Sequence, residues 1–128
     1  MKAMDFVKGY SHIGVPTTDM DATIKFYEDL GFELIYSTVN NGDKVCFLEK
    51  GAVQIETYEV EKSAMAYGAL DHLALKVEDV DACYEVAKNL PYPVVEGPAN
   101  LPFWDEKGVR YFVLEGPNKE KVEFIQKL

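Results

Sequence analysis

The chain has 128 residues, 48% of them hydrophobic and 27% charged, a balance that excludes a disordered chain and suits one compact core. Its 13 basic and 22 acidic residues leave a net charge of −9 with no lysine- or arginine-rich run, which argues against nucleic acid or an anionic membrane surface as partner. No apolar stretch approaches the roughly 18 residues of a membrane span. Met1 to Phe6 carries no hydrophobic signal core, so a cytoplasmic location is expected. Cys46 and Cys83 form no CxxC pair and read as free core thiols in a reducing compartment.

In chain order, strand and helix periods alternate. Ser11, Ile13 and Val15 alternate with Tyr10, His12 and Gly14, which predicts a first strand. Asp19 then stands as a helix N-cap, and Met20, Ile24, Tyr27 and Leu30 recur at helical spacing until Gly31 stops the run. Phe32 to Val39 reads as a strand and Asn40 to Asp43 as a turn, because Asn and Gly tolerate positive φ. Val45 to Leu48 and Val53 to Tyr58 are the next strands, joined through Gly51. Residues 59–70 link this half to a second. There Leu73, Leu75 and Val77 alternate with His72, Ala74 and Lys76. Asp79 caps a helix carrying Val80, Tyr84, Ala87 and Leu90 on one face, with Pro91 as its stop. Pro93 to Val95, Val109 to Leu114 and Val122 to Gln126 follow as strands, and Gly116-Pro117-Asn118 makes the last turn.

The order strand, helix, three strands occurs twice, and residues repeat with it. His12, Asp19, Asp21, Ala22 and Leu30 recur sixty positions later as His72, Asp79, Asp81, Ala82 and Leu90. His12 and His72 are the only histidines. Each has a carboxylate counterpart near the end of its half: Glu56 in Val53 to Tyr58, and Glu123 in Lys121 to Ile125. Side chains alternate across a strand. Ile13, Val15, Val53, Ile55, Leu73, Leu75, Val122 and Phe124 therefore belong on the face beneath the helices. His12, Glu56, His72 and Glu123 project from the other face. Two imidazoles and two carboxylates suit one divalent ion. The imidazoles fit nickel, zinc, cobalt or iron, the carboxylates also tolerate manganese, and nickel or zinc is expected first. Four such ligands leave two octahedral positions for water or substrate oxygens.

The sequence resembles the vicinal oxygen chelate superfamily, also called the glyoxalase/bleomycin resistance/dioxygenase family. The stretches that carry the resemblance are His12-Ile13-Gly14-Val15, Asp19, Phe26 to Phe32, Asp71-His72-Leu73-Ala74, Gly108 to Phe112, and Gly116-Pro117-Asn118 before Val122-Glu123-Phe124. The resemblance implies an α+β fold of two tandem βαβββ modules forming a curled, cup-like mixed sheet with helices outside. One domain would span 1–128, with module one at about 8–60 and module two at about 68–128. It implies a homodimer; in some relatives the metal takes ligands from both subunits. Glyoxalase I enzymes carry a His or Gln, a Glu, a His and a Glu at the positions of His12, Glu56, His72 and Glu123. Extradiol dioxygenases and fosfomycin-resistance proteins lack a carboxylate at the position of Glu56.

That match implies a metal-dependent lyase or isomerase of glyoxalase I type acting on a small 2-oxo or thiohemiacetal substrate. A proton moves between neighbouring carbons through an enediolate that the metal stabilises. In the resembling enzymes one ligand glutamate serves as base and then acid, with Glu123 the first choice for it here and Glu56 the second. A metal-dependent epimerase of methylmalonyl-CoA type and a non-catalytic small-molecule binding module are the alternatives. The chain departs from the glutathione-using enzymes, with Pro16 and Val60 where they carry an arginine and an asparagine. Among other side chains, Phe103 and Trp104 either line the cup or anchor their loop, Arg110 and Lys76 pair with a substrate anion or form local ion pairs, and Tyr58 shares the face of Glu56.

Overall fold

The computed structural model describes residues 1–68 and 70–128. After a 3₁₀ turn at Ala3–Phe6, the first module runs β1 (Ile13–Thr17), α1 (Met20–Asp29), β2 (Glu33–Asn40), β3 (Asp43–Lys50) and β4 (Val53–Glu59). The second runs β5 (His72–Lys76), α2 (Val80–Ala87), β6 (Val94–Leu101), β7 (Val109–Glu115) and β8 (Lys121–Lys127). The fold is α+β, and both modules are βαβββ.

The modules are built alike because the same residues do the same local work. Asp19 accepts from the Ala22 amide and Asp79 from the Ala82 amide, each at 3.0 Å, which satisfies an orphan donor of the first turn. Gly31 ends α1 at φ +102°, and the Phe32 amide reaches back to the Tyr27 carbonyl at 2.9 Å. Asn41 (φ 51°) and Gly42 (φ 89°) supply the two left-handed residues of a tight hairpin between Asn40 and Asp43.

Among the boundaries that differ from expectation, two have a clear local cause. α2 ends at Ala87, three residues short of Leu90. Its last turn tightens into Asn89-to-Val86 and Leu90-to-Ala87 bonds, and the Asn89 side chain takes the Glu85 carbonyl. β6 is longer than Pro93 to Val95, because pairing with β7 resumes beyond Gly97 after irregularities on both sides of Glu96. Asn100 and Leu101 are therefore strand, and the loop begins at Pro102.

Each module forms one mixed sheet, ordered β1-β4-β3-β2 and β5-β8-β7-β6, with β1 parallel to β4 and β5 parallel to β8. β1 and β5 are thus edge strands. Val15, Ile55, Val122 and Phe124 are buried in one core with Phe26 and Tyr27 of α1 and Val80 and Ala87 of α2. Ile13, Val53, Leu73 and Leu75 pack against it, so the aliphatic faces lie where alternation puts them. The modules meet through α1: Phe26 packs edge-on to Tyr92 at 4.8 Å, the Tyr27 hydroxyl donates to Glu120, and Asn118 donates to Thr23. The helix-bearing faces of both modules thus share one interior. No ladder joins the two sheets among the described residues.

Candidate metal centre

The opposite face of each sheet carries a histidine and a glutamate in the same arrangement. His12 stands immediately before β1 and His72 opens β5. Glu56 lies across the ladder from Gly14, and Glu123 across from Ala74. A small residue at 14 and at 74 leaves room above the edge strand, so each glutamate leans diagonally to the histidine two positions back. His12 Nε2 lies 3.6 Å from Glu56 Oε1, and His72 Nε2 lies 3.5 Å from Glu123 Oε2. Tyr58 is where its strand face predicts, its ring beside Glu56 above Gly14.

The other ring nitrogen of each histidine is engaged by the residue before it. His12 Nδ1 meets Ser11 Oγ at 2.8 Å, and His72 Nδ1 meets Asp71 Oδ2 at 2.9 Å. These partners fix the rings and leave Nε2 free as a ligand atom, the arrangement in which metal-binding histidines are found. Two ligand atoms each about 2.1 Å from one ion lie roughly 3.0–3.4 Å apart, so both pairs need only a small adjustment to hold one. The donor set fits a divalent metal. The sequence signal for Ser11 and Asp71 existed: they are short polar residues before each histidine, at the repeat offset.

The chain brings His12 to Glu56 and His72 to Glu123, and does not bring the pairs together. Among the described residues, no three His, Cys, Asp or Glu side chains gather where they could hold one ion. The shared core explains this, since both His/Glu faces point away from it.

The two halves differ electrically. The Glu123 side chain is 13% exposed and that of Glu56 28%. Burial pushes the Glu123 carboxyl above its ordinary value; the nearby Glu96 and Asp71 charges add to this, and His72 opposes it. Lys121 is the cation beside this half. It shares the face of Glu123, donates to Asp71 at 3.1 Å, and lies 3.9 Å from the centre of the Tyr67 ring. Alternation along β8 would have found it two residues before Glu123.

The other candidates are elsewhere. Arg110 donates to Asp81 and Asn100, both at 2.9 Å, which makes it a local ion pair. Lys76 and Trp104 line a separate cavity near the end of β8, where Trp104 lies under Lys127, and Phe103 is exposed. Cys46 is buried and Cys83 half-buried, both as free thiols.

Residues 9–124 match the model of the Glyoxalase/Bleomycin resistance protein/Dioxygenase superfamily. The chain belongs to this superfamily. A relative in Bacillus subtilis (strain 168), "Uncharacterized protein YwbC", is 33% identical over 133 residues, covering 94% of this chain and 98% of that protein. Two solved structures share the fold. The glyoxalase family protein from Enterococcus faecalis is 22% identical with a TM-score of 0.73, covering 94% of this chain and 98% of its own. The fosfomycin resistance protein FosX from Listeria monocytogenes, complexed with Mn(II) and 1S,2S-dihydroxypropylphosphonic acid, is 20% identical with a TM-score of 0.72, covering 93% and 92%. Superfamily members include enzymes and divalent-metal proteins. No helix among the described residues is long and apolar enough to cross a membrane.

Proposed function

We propose that the protein is a metal-dependent lyase or isomerase of glyoxalase I type, with His12, Glu56, His72 and Glu123 as ligands of one divalent ion. The observation that carries this is the repeat-equivalent pair of His–Glu contacts, at 3.6 and 3.5 Å, each with Nδ1 already engaged. Each pair sits at an edge strand with a free side. Because the pairs face away from the core of their own chain, a second copy supplies the missing half. The edge of β1 meets the edge of β5 from the partner, giving a homodimer with two sites.

The ion would supply Lewis acidity to two vicinal oxygens of a small 2-oxo or thiohemiacetal substrate. Glu123 takes a proton from the carbon beside the carbonyl and returns it to the neighbouring carbon. Glu56, whose side chain is more open to water, is the second candidate for this role. Ser11 and Asp71 keep the imidazoles oriented.

Two experiments test this reading. Metal-loaded protein given the adduct of a 2-oxo aldehyde with a small thiol should form the thioester of a 2-hydroxy acid, and Glu123→Gln should abolish the reaction. Mixing His12→Ala and His72→Ala chains in equal amounts should restore one intact site per heterodimer; with half of the dimers mixed, metal returns to about one ion per four chains. A reaction unaffected by Glu123→Gln, or mixed chains that stay metal-free, would refute these assignments. No turnover in metal-replete protein would favour the binding module.

A further inference from the structure

Glu96 is held in the second half-site by a distorted strand. β6 pairs with β7 irregularly on both sides of Glu96, and Gly97 adopts φ +75° directly after it. A Cβ at Gly97 would lie 2.5 Å from the Tyr111 carbonyl oxygen, so only glycine permits this path. Such bulges re-aim a side chain. Glu96 pairs with Val113, and Val113 pairs with Glu123, which places all three in one row on the His72 face. Glu96 and Glu123 open onto the same space, near enough for the charge of one to act on the other. Glu96, Glu123, His72, Asp71 and Lys121 line one recess of about 240 Å³.

Module one has the same row with different chemistry. At the repeat offset, Tyr36 replaces Glu96, again beside a register irregularity, and pairs through Phe47 to Glu56. Tyr36 packs edge-on to Phe47, and Phe47 to His12. Each row ends on the outer strand of its sheet. One end of the completed site is therefore aromatic and the other acidic. The lysine of the acidic end is already taken by Asp71. An anionic group finds no free cation among the described residues lining that recess, whereas a donor finds the exposed Glu96 carboxylate.

We propose that Glu96 is a specificity-determining residue of this site, accepting a hydrogen bond from a hydroxyl or ammonium group of the substrate at the end opposite Tyr36 and Phe47. This rests on the metal site proposed above. The test is calorimetric titration of manganese-loaded protein with straight-chain hydroxamates of two to four carbons, which present two vicinal oxygens to the ion. Their far ends carry an ammonium, hydroxyl, methyl or carboxylate group. The ammonium compound should bind about tenfold tighter than its methyl counterpart, the gain of one charge-assisted hydrogen bond, and the carboxylate compound weakest. Glu96→Gln should remove the ammonium preference, and Glu96→Ala the hydroxyl preference as well, while bound manganese and methyl-compound affinity stay as in the wild type. Methyl and ammonium compounds binding equally, or a preference that survives Glu96→Gln, would overturn the role of Glu96 and leave the metal site standing. Protein that retains none of nickel, zinc, cobalt, iron or manganese would overturn both.

Discussion

Replacing Thr57 with valine should stabilise the protein. Thr57 lies in β4 between Val15 of β1 and Cys46 of β3, and all three are buried. Its Oγ1 is fully buried with no hydrogen-bond partner. A hydroxyl stranded in this way costs about 1–3 kcal/mol on the scale of protein mutations. Valine keeps the shape and the β-branching that suits a strand, so the gain should be about 1–2 kcal/mol, or roughly 3–8 °C in Tm. Thr17 is the control, because it is equally buried. Its Oγ1 lies 2.9 Å from Thr23 Oγ1, accepts from the Asp19 amide at 2.9 Å and donates to the Asp19 carbonyl at 3.0 Å. Thr17→Val strands those groups and should cost about 1–3 kcal/mol. Urea unfolding at fixed protein concentration, followed by far-UV circular dichroism, reads both variants. Equal destabilisation by the two substitutions would refute the reasoning, since burial and not hydrogen bonding would then decide the sign.

Three further outcomes follow from local geometry. Asp19→Ala and Asp79→Ala each remove one cap bond and should each cost about 1 kcal/mol in the same assay, additively in the double variant. Gly97→Ala forces a side chain into a left-handed residue against the Tyr111 carbonyl and should cost at least about 2 kcal/mol, read as a lower urea midpoint. Asp29 is held below its ordinary value of 3.8, first by the Lys25 hydrogen bond and then by that of Tyr92. Its contribution to stability is complete above the unfolded value and is lost as the pH falls through the lower folded one. Asp29→Asn should therefore lower stability near neutrality and flatten its fall on acidification below about pH 4, measured by urea midpoints across pH.

Much of the fold was legible because the chain states it twice. The sixty-residue offset that joins His12 to His72 also joins Asp19 to Asp79, and both caps form the same bond. Period-two alternation assigned the inward aliphatic faces and the outward His/Glu faces, since a strand allows no third choice. Boundaries were hidden where a strand bends: β6 continues past Gly97 because the bulge absorbs residues that alternation would count as a break. For the site, the four ligand candidates were readable, and the separation of their two pairs was not. That depends on which faces share a core, decided by α1 contacts such as Phe26 with Tyr92, sixty-six residues apart. Glu96 and Lys121 were missed for different reasons. Lys121 obeys the alternation that located Glu123, but a lysine is no metal ligand and so falls outside the His/Glu pattern. Glu96 is aimed by an irregular register that no sequence period reports.

Metal content tests the central claim most directly. Untagged protein, reconstituted in turn with nickel, zinc, cobalt, iron and manganese, freed of excess ion and analysed by plasma mass spectrometry beside His72→Ala, should retain about one ion per chain that the variant loses. Wild-type protein that retains none of these ions, or a variant that retains them equally, would contradict the account.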